Sequence, residues 1–161
     1  MSISEMTGGA GLNYDGFWLY RANAASTLRI SFTDGSTDRL TGTLAGTGSL
    51  VGNNWYNIVV VFDRDVSVQA YINGVKQTTY FLDITPQQGD VANYANMKIG
   101  GTTGSSVFID GLMDEVRIYN AAMPTSQIKE QYYVGLNGLL FSGQINAREY
   151  SERINLISRN E

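Results

Sequence analysis

The stretch that decides the fold is residues 55–82, WYNIVVVFDRDVSVQAYINGVKQTTYFL. Residues 56–62 are nearly all apolar and rich in β-branched side chains, which predicts a central strand buried on both faces. The next strand has an apolar residue at every second position and is expected to bury one face. These residues are Val66, Val68, Ala70 and Ile72. Asn73-Gly74 favours a type I′ turn, because both central residues of that turn need positive φ. A strand over 76–82 is therefore predicted to return antiparallel.

Further short segments on both sides of this stretch alternate in the same way. They lie near residues 28–32, 40–44, 97–99 and 107–119. Regularly spaced short strands joined by Gly-rich turns are typical of an all-β antiparallel sandwich. From Met123 onward the spacing of apolar residues becomes helical. We therefore divide the chain into a β-sandwich over 1–122 and a helical segment over 123–161.

The helical segment is predicted to form a hairpin of two helices. One apolar face of the first helix repeats at helical spacing. It consists of Ile128, Tyr132, Leu136, Leu139 and Leu140. Gly135 and Gly138 weaken this helix, so a break is expected there. Asn146 is a suitable N-cap for the second helix, with Glu149 at the third helical position. The hairpin either packs on the sandwich or pairs with another chain.

The composition excludes several classes of function. The chain has 161 residues, with no Cys and no His, so neither side chain can act as a nucleophile, base or metal ligand. The net charge of −4 argues against nucleic acid as a partner. No apolar run is long enough to span a membrane, and residues 1–5 are no secretory signal.

Four segments together resemble a laminin G-like jelly roll of the concanavalin A-like lectin/glucanase superfamily. The first two are Trp55 with the strand Ile58–Phe62, and Ala70-Tyr71-Ile72-Asn73-Gly74. The other two are Lys98-Ile99-Gly100-Gly101, and Phe108–Asn120. The resemblance covers residues 14–131. Family members usually carry one or two more strands at the amino end, so a truncated or shortened domain is expected. The resemblance also implies an extracellular or cell-surface location.

The carboxy-terminal tail resembles the short helical modules called SHOCT. The residues that carry this similarity are Leu136, Leu139, Leu140, Gly143, Ile145, Glu149, Tyr150, Arg153 and Ile154. Such modules are associated with oligomerisation, which implies homo-oligomers through the carboxy-terminal helices. The combination of sandwich and tail is also similar to surface pilin-like proteins.

The superfamily includes glucanases, which act through a pair of catalytic carboxylates. Asp110 and Asp114 share one strand face but lie about 13 Å apart at ~3.3 Å per residue. Glycosidases need separations of about 5 Å or up to about 9.5 Å. The residue between them, Leu112, is apolar, and Glu115 points to the other face. No catalytic residue is predicted.

Several residues of the resemblance are predicted to be structural. By alternation, Asp114 shares a face with apolar residues that should point inward, so its carboxylate is expected to be hydrogen-bonded in the interior. The resemblance places Trp55, Tyr71 and Tyr119 in the core. Asn73 and Gly74 are expected to form the hairpin turn.

The candidate ligand-binding residues lie in two places. The loop 87–94 contains Asp90, Asn93 and Tyr94, which would offer a sugar both hydrogen-bonding groups and an aromatic surface. An ordinary solvated loop is the alternative. Trp18 belongs either to a second buried strand or to an exposed platform.

The resemblance also raises calcium as a cofactor. Calcium takes oxygen ligands, and Asp34, Asp38, Asp83 and Asp90 are loop residues that could supply them. Solvated aspartates in turns are the alternative interpretation.

These observations lead to three ordered hypotheses. The first is a non-enzymatic, lectin-like recognition module whose rim loops bind a glycan or an extracellular protein. The second is a structural or assembly protein of the cell surface that oligomerises through its carboxy-terminal helices. The third is a carbohydrate-active hydrolase.

Overall fold

A computed structural model describes residues 16–22, 26–35, 39–91, 97, 99–101 and 109–159. Two antiparallel three-stranded sheets are followed by two helices, which confirms the predicted sandwich with a carboxy-terminal helical hairpin. The strands are β1 (Gly16–Ala22), β2 (Thr27–Thr33), β3 (Leu40–Ala45), β4 (Ile58–Asp63), β5 (Ser67–Ile72) and β6 (Val75–Leu82). The helices are α1 (Thr125–Phe141) and α2 (Ala147–Ser158). No helix in the described part of the chain is both long and apolar enough to cross a membrane.

The first sheet has the order β1-β2-β3. In β2 the apolar residues Leu28, Ile30 and Phe32 are buried, as the alternation predicted. Trp18 of β1 lies opposite Ser31 of β2, and Ser31 shares a 2.9 Å hydrogen bond with Thr41 of β3. Ser31 and Thr41 therefore lie on the same face as Trp18, while Leu28, Ile30 and Phe32 pack into the core.

The second sheet has the order β4-β5-β6. Val68, Ala70 and Ile72 of β5 are buried, as predicted, whereas Val66 of the same predicted set is exposed because it lies in the turn before the strand. Asn73 and Gly74 join β5 to β6 with φ values of 52° and 76°, which confirms the predicted type I′ turn.

The main core lies between the two sheets. Its apolar residues come from every strand and from the loops beside them. The fully buried members include Leu28, Ile30, Leu44, Val68 and Ile84. Burial of this apolar surface is the main driving force for joining the sheets.

The helical hairpin packs on the turn between β5 and β6. Tyr132 and Ile157 lie so close to Gly74 that an added Cβ would be 2.9 Å from the Tyr132 ring. The Tyr71 hydroxyl shares a 2.7 Å hydrogen bond with the Thr125 hydroxyl at the start of α1. Of the two arrangements predicted for the hairpin, the structure therefore shows packing on the sandwich.

The first helix follows its predicted apolar face, and the second begins at its predicted cap. Ile128, Tyr132 and Leu136 are buried along α1, which continues without a break through both glycines. Tertiary packing of this face outweighs the low helix propensity of glycine. Asn146 caps α2 by accepting a 2.9 Å hydrogen bond from the Glu149 N–H, as predicted.

Two predictions about strands are wrong. The described residues 109–119 form no strand, and neither do Met97 and Ile99. Strand β4 is half-buried, which contradicts the predicted burial on both faces, and among the described residues it pairs with β5 alone. The apolar run could not distinguish a strand covered on both faces from one at the edge of the described sheet.

Candidate functional site

The antiparallel connections gather the loops at two opposite ends of the sandwich. We call one the clasp end, where the β2–β3 turn, the β4–β5 turn and loop 83–91 meet. We call the other the hairpin end, where Ser26, loop 46–57 and the Asn73-Gly74 turn meet. Of the candidate binding residues, Asp90 lies at the clasp end, and loops held by a rigid scaffold in this way are free to vary in sequence.

A buried carboxylate organises the clasp end. The side chain of Asp34 is 0% exposed, and its Oδ2 accepts a 2.6 Å hydrogen bond from the Gly89 N–H. The Asp34 N–H donates a 2.9 Å hydrogen bond to Oε1 of Gln87, which is also fully buried. Asp34 therefore connects the end of β2 to a loop more than 50 residues later in the chain.

Arg64 completes this network from the β4–β5 turn. Its Nη2 lies 3.8 Å from Asp34 Oδ2 and donates hydrogen bonds to the carbonyl oxygens of Gln87 and Gly89, the latter at 2.7 Å. Its guanidinium carbon lies 5.8 Å from the centroid of the Phe32 ring. Gln88 Nε2 donates in return to the Arg64 carbonyl at 2.6 Å. We call these residues the Asp34–Arg64 clasp.

Loop 83–91 has its own local bonds before it reaches the clasp. Asp83 Oδ1 accepts hydrogen bonds from the Thr85 N–H at 2.9 Å and from the Thr85 hydroxyl at 2.7 Å. These bonds favour the charged carboxylate and lower the pKa of Asp83. The candidate Asp90 follows the clasp directly and is exposed. The other two candidates of this loop, Asn93 and Tyr94, lie outside the described residues.

The aspartates named for calcium are not gathered into one site by the described residues. Asp34 contacts Arg64 and Gly89, and Asp83 contacts Thr85, while Asp38 lies outside the described part. In that part of the chain, no group of three or more acidic side chains is placed to hold a metal ion. The buried position of Asp34 suits a structural role better than that of a calcium ligand.

Trp18 lies in strand β1 and is half-buried. Its ring stacks on Tyr20, with centroids 4.5 Å apart and planes 29° apart. Both side chains point to the face opposite buried Leu19, because successive residues of a strand alternate. The Arg29 guanidinium carbon lies 6.0 Å from the centroid of the Tyr20 ring. Trp18 is therefore neither fully buried nor freely exposed, and the aromatic pair belongs to the sheet face.

The burial predicted for two aromatic residues is wrong, and for the third it is confirmed. Trp55 is 63% exposed, because it lies in the loop before β4, outside the strand that begins at Ile58. Tyr119 is also exposed, and its hydroxyl accepts a 3.4 Å hydrogen bond from Gln131. Tyr71 is buried as predicted.

Asp114 is likewise exposed, which contradicts its predicted interior position. Its Oδ1 accepts a 2.8 Å hydrogen bond from the N–H of Glu115, whose φ is 53°. This local bond competes with strand pairing. Leu112, on the same predicted face, is 80% exposed. The alternation shows which residues share a face but does not show that another layer covers it.

The three carboxylates considered for catalysis lie at the surface. Asp110 and Asp114 are exposed, and Glu115 forms an ion pair with Arg117 at the surface. None of these three carboxylates is buried.

The two antiparallel sheets, with loops at both ends, match the fold of a known protein family. The family model described as the concanavalin A-like lectin/glucanases superfamily, and named for laminin G, matches residues 2–129. The chain belongs to this laminin G-like family. Domains of this family are generally non-catalytic, although the superfamily includes glucanases.

The chain was also compared with curated proteins and with solved structures. No curated protein matched the chain. A crystal structure of residues 221–444 of an S-layer domain-containing protein from Clostridium thermocellum is similar to it, with 18% sequence identity and a TM-score of 0.40. The match covers 81% of this chain and 63% of that structure, so this chain spans less than two thirds of the matched protein segment.

Proposed function

We propose that this chain is a non-enzymatic, lectin-like recognition module of an extracellular or cell-surface protein, and that it binds carbohydrate through loops at the rim of the sandwich. The observation that carries the proposal is the Asp34–Arg64 clasp. It fixes the loop that leads into Asp90, Asn93 and Tyr94 by means of buried polar contacts. A loop held in one conformation loses less entropy on binding than a free one.

The chemistry of this rim suits a sugar. The exposed carboxylate of Asp90 can accept hydrogen bonds from hydroxyl groups, and the sequence adds an amide and a phenol ring within four residues. Polar groups that fix orientation beside an apolar surface are the usual composition of a small-ligand site. The membership in a laminin G-like family supports the same class of function and the surface location.

The test is binding of the full chain to a broad glycan array, first with calcium and then with chelator. We expect binding that Asp90→Ala and Tyr94→Ala weaken and that Asp65→Ala, an exposed aspartate in the β4–β5 turn, leaves unchanged. Binding lost in chelator would assign calcium a role at the rim. A folded protein that binds no glycan in either condition would refute the lectin function, and hydrolysis of a β-glucan would refute its non-enzymatic character.

A second candidate function is assembly through the helical hairpin. The observation that favours it is the outer face of α1, where Val134 is exposed and Phe141 is 89% exposed. These residues are seven apart and so lie on one side of the helix, opposite the buried Ile128, Tyr132 and Leu136. Light scattering over a range of concentrations tests this function. A mass that rises with concentration and falls to the monomer in Phe141→Asp would support it.

A further inference from the structure

Loop 46–57 at the hairpin end is anchored at both of its ends. On one side Leu50 is buried, its N–H donates to the Ser26 carbonyl at 3.0 Å, and its carbonyl accepts from Arg21 Nε at 2.8 Å. On the other side Asn57 and Asn73 exchange two hydrogen bonds. The Asn57 N–H donates to Asn73 Oδ1 at 2.9 Å, and the Asn73 N–H donates to the Asn57 carbonyl at 2.8 Å.

Hydrogen bonds within the loop also hold its tip. The Val51 N–H donates a 3.0 Å hydrogen bond to the Tyr56 hydroxyl, across five residues. Asn54 Nδ2 donates to the Gly52 carbonyl at 3.0 Å, and Asn53 adopts a left-handed conformation with a φ of 61°. Asparagine tolerates this conformation better than most residues. The backbone that carries Trp55 is therefore held in one shape before any ligand arrives.

Trp55 projects from this ordered loop with most of its ring in water. Burial of a large aromatic side chain is usually favourable. An indole exposed on a fixed loop can therefore stabilise a complex in which a partner covers it. The flanking residues Asn53 and Asn54 are exposed amides, which offer both donors and acceptors of hydrogen bonds. Loop 46–57 contains no charged residue.

We propose that the Trp55 loop is a sugar-binding subsite in which the indole ring stacks on the apolar face of a pyranose. The amides of Asn53 and Asn54 bind its hydroxyl groups. The absence of charge in the loop sequence, together with the net charge of −4, favours a neutral glycan over an anionic one. This subsite lies at the end of the sandwich opposite Asp90. It rests on the proposed lectin function and assigns that function a second contact region.

The experiment is isothermal titration calorimetry of the full chain with four neutral probes: maltohexaose, cellohexaose, mannohexaose and chitohexaose. The probe that binds best is then titrated into Trp55→Ala, Trp55→Phe and Phe81→Ala. Phe81 is the matched control, because it is an aromatic residue of comparable exposure, 55%, on β6. Circular dichroism and thermal unfolding establish that each variant is folded.

We expect Trp55→Ala to raise the Kd about tenfold or more, because it removes a stacked aromatic ring. The Kd of Trp55→Phe is expected to lie between those of the original chain and Trp55→Ala. Phe81→Ala is expected to bind the probe as the original chain does. A sugar-induced change in tryptophan emission should disappear in Trp55→Phe.

The outcomes separate the subsite from the lectin function as a whole. Binding that Trp55→Ala leaves unchanged would overturn the subsite and leave the lectin function intact. The same holds for binding that is lost only in Asp90→Ala. If none of the four probes binds to the folded original chain, the neutral-glycan subsite is overturned, and a blank glycan array would overturn the lectin function with it.

Discussion

Replacing Asp34 with alanine tests the clasp directly. The carboxylate is fully buried, accepts a hydrogen bond from the Gly89 N–H and lies 3.8 Å from Arg64. Alanine would remove both contacts and leave a partly buried guanidinium without its counter-charge. Loop 83–91 would lose one of its attachments to β2.

The expected loss of stability follows from these contacts. A hydrogen bond to a charged group contributes about 1.5–3 kcal/mol. The ion pair adds no more than about 1 kcal/mol, because the Arg64 side chain is 29% exposed and water screens it. We therefore expect Asp34→Ala to lower the free energy of unfolding by about 3 kcal/mol, and the Tm by roughly 6–12 °C. Asp34→Asn keeps an acceptor for Gly89 and should cost about 1 kcal/mol.

Urea unfolding followed by circular dichroism measures this free energy, with the slope m checking that the transition stays cooperative. Asp65→Ala is the control, since it removes an exposed carboxylate from the turn beside Arg64 and should change stability by less than about 0.5 kcal/mol. If Asp34→Ala unfolds at the same urea concentration as Asp65→Ala, the clasp does not stabilise the fold. The reasoning that the clasp orders the rim would then be wrong.

Three further predictions concern the helical hairpin. Gly74→Ala should lower the free energy of unfolding by about 2 kcal/mol, because φ is +76° and the new Cβ would be 2.9 Å from Tyr132. Gly138→Ala has open space around it and should raise the free energy of unfolding by about 1 kcal/mol. Thermal unfolding compares the two variants, and an equal effect would contradict the packing of Tyr132 on Gly74. Burial raises the pKa of Tyr132, although the charge of Arg153 opposes this shift. The contribution of the Tyr132 phenol to stability is therefore complete below its unfolded pKa of about 10 and is lost as the pH rises through the folded pKa. Urea midpoints of the original chain from pH 7 to 11 should fall more steeply than those of Tyr132→Phe, and parallel curves would refute this. Asn146→Ala should cost about 1 kcal/mol because the cap of α2 is lost, which Asn146→Ser should largely restore in the same thermal assay.

The sequence alone predicts correctly those features that depend on residues close together in the chain. The Asn73-Gly74 turn and the Asn146 cap depend on residues within four positions of each other, and both formed as predicted. The alternation of β2 and β5 gave the correct buried faces for the same reason. These patterns depend on backbone geometry that neighbouring residues determine.

The sequence was insufficient where contacts join distant segments. Asp34 and Gly89 are 55 residues apart, and no local pattern indicates that one would accept a hydrogen bond from the other. The sequence therefore indicates a turn residue or a calcium ligand at Asp34. The family resemblance places Trp55 in the core, whereas the loop that exposes it depends on contacts of Leu50 and Asn57.

The two ends of the sandwich differ in what orders their loops, and this difference bears on how each could bind. At the clasp end, buried charges connect three segments, so a change at Asp34 or Arg64 should alter both stability and binding. At the hairpin end, backbone and amide hydrogen bonds and one bond from the Arg21 guanidinium hold the loop, and the exposed Trp55 side chain can be removed without loss of any of them. A variant at Trp55 that binds sugar poorly but unfolds normally would therefore report binding alone. A variant at Asp34 needs its stability measured before any loss of binding can be assigned to the rim.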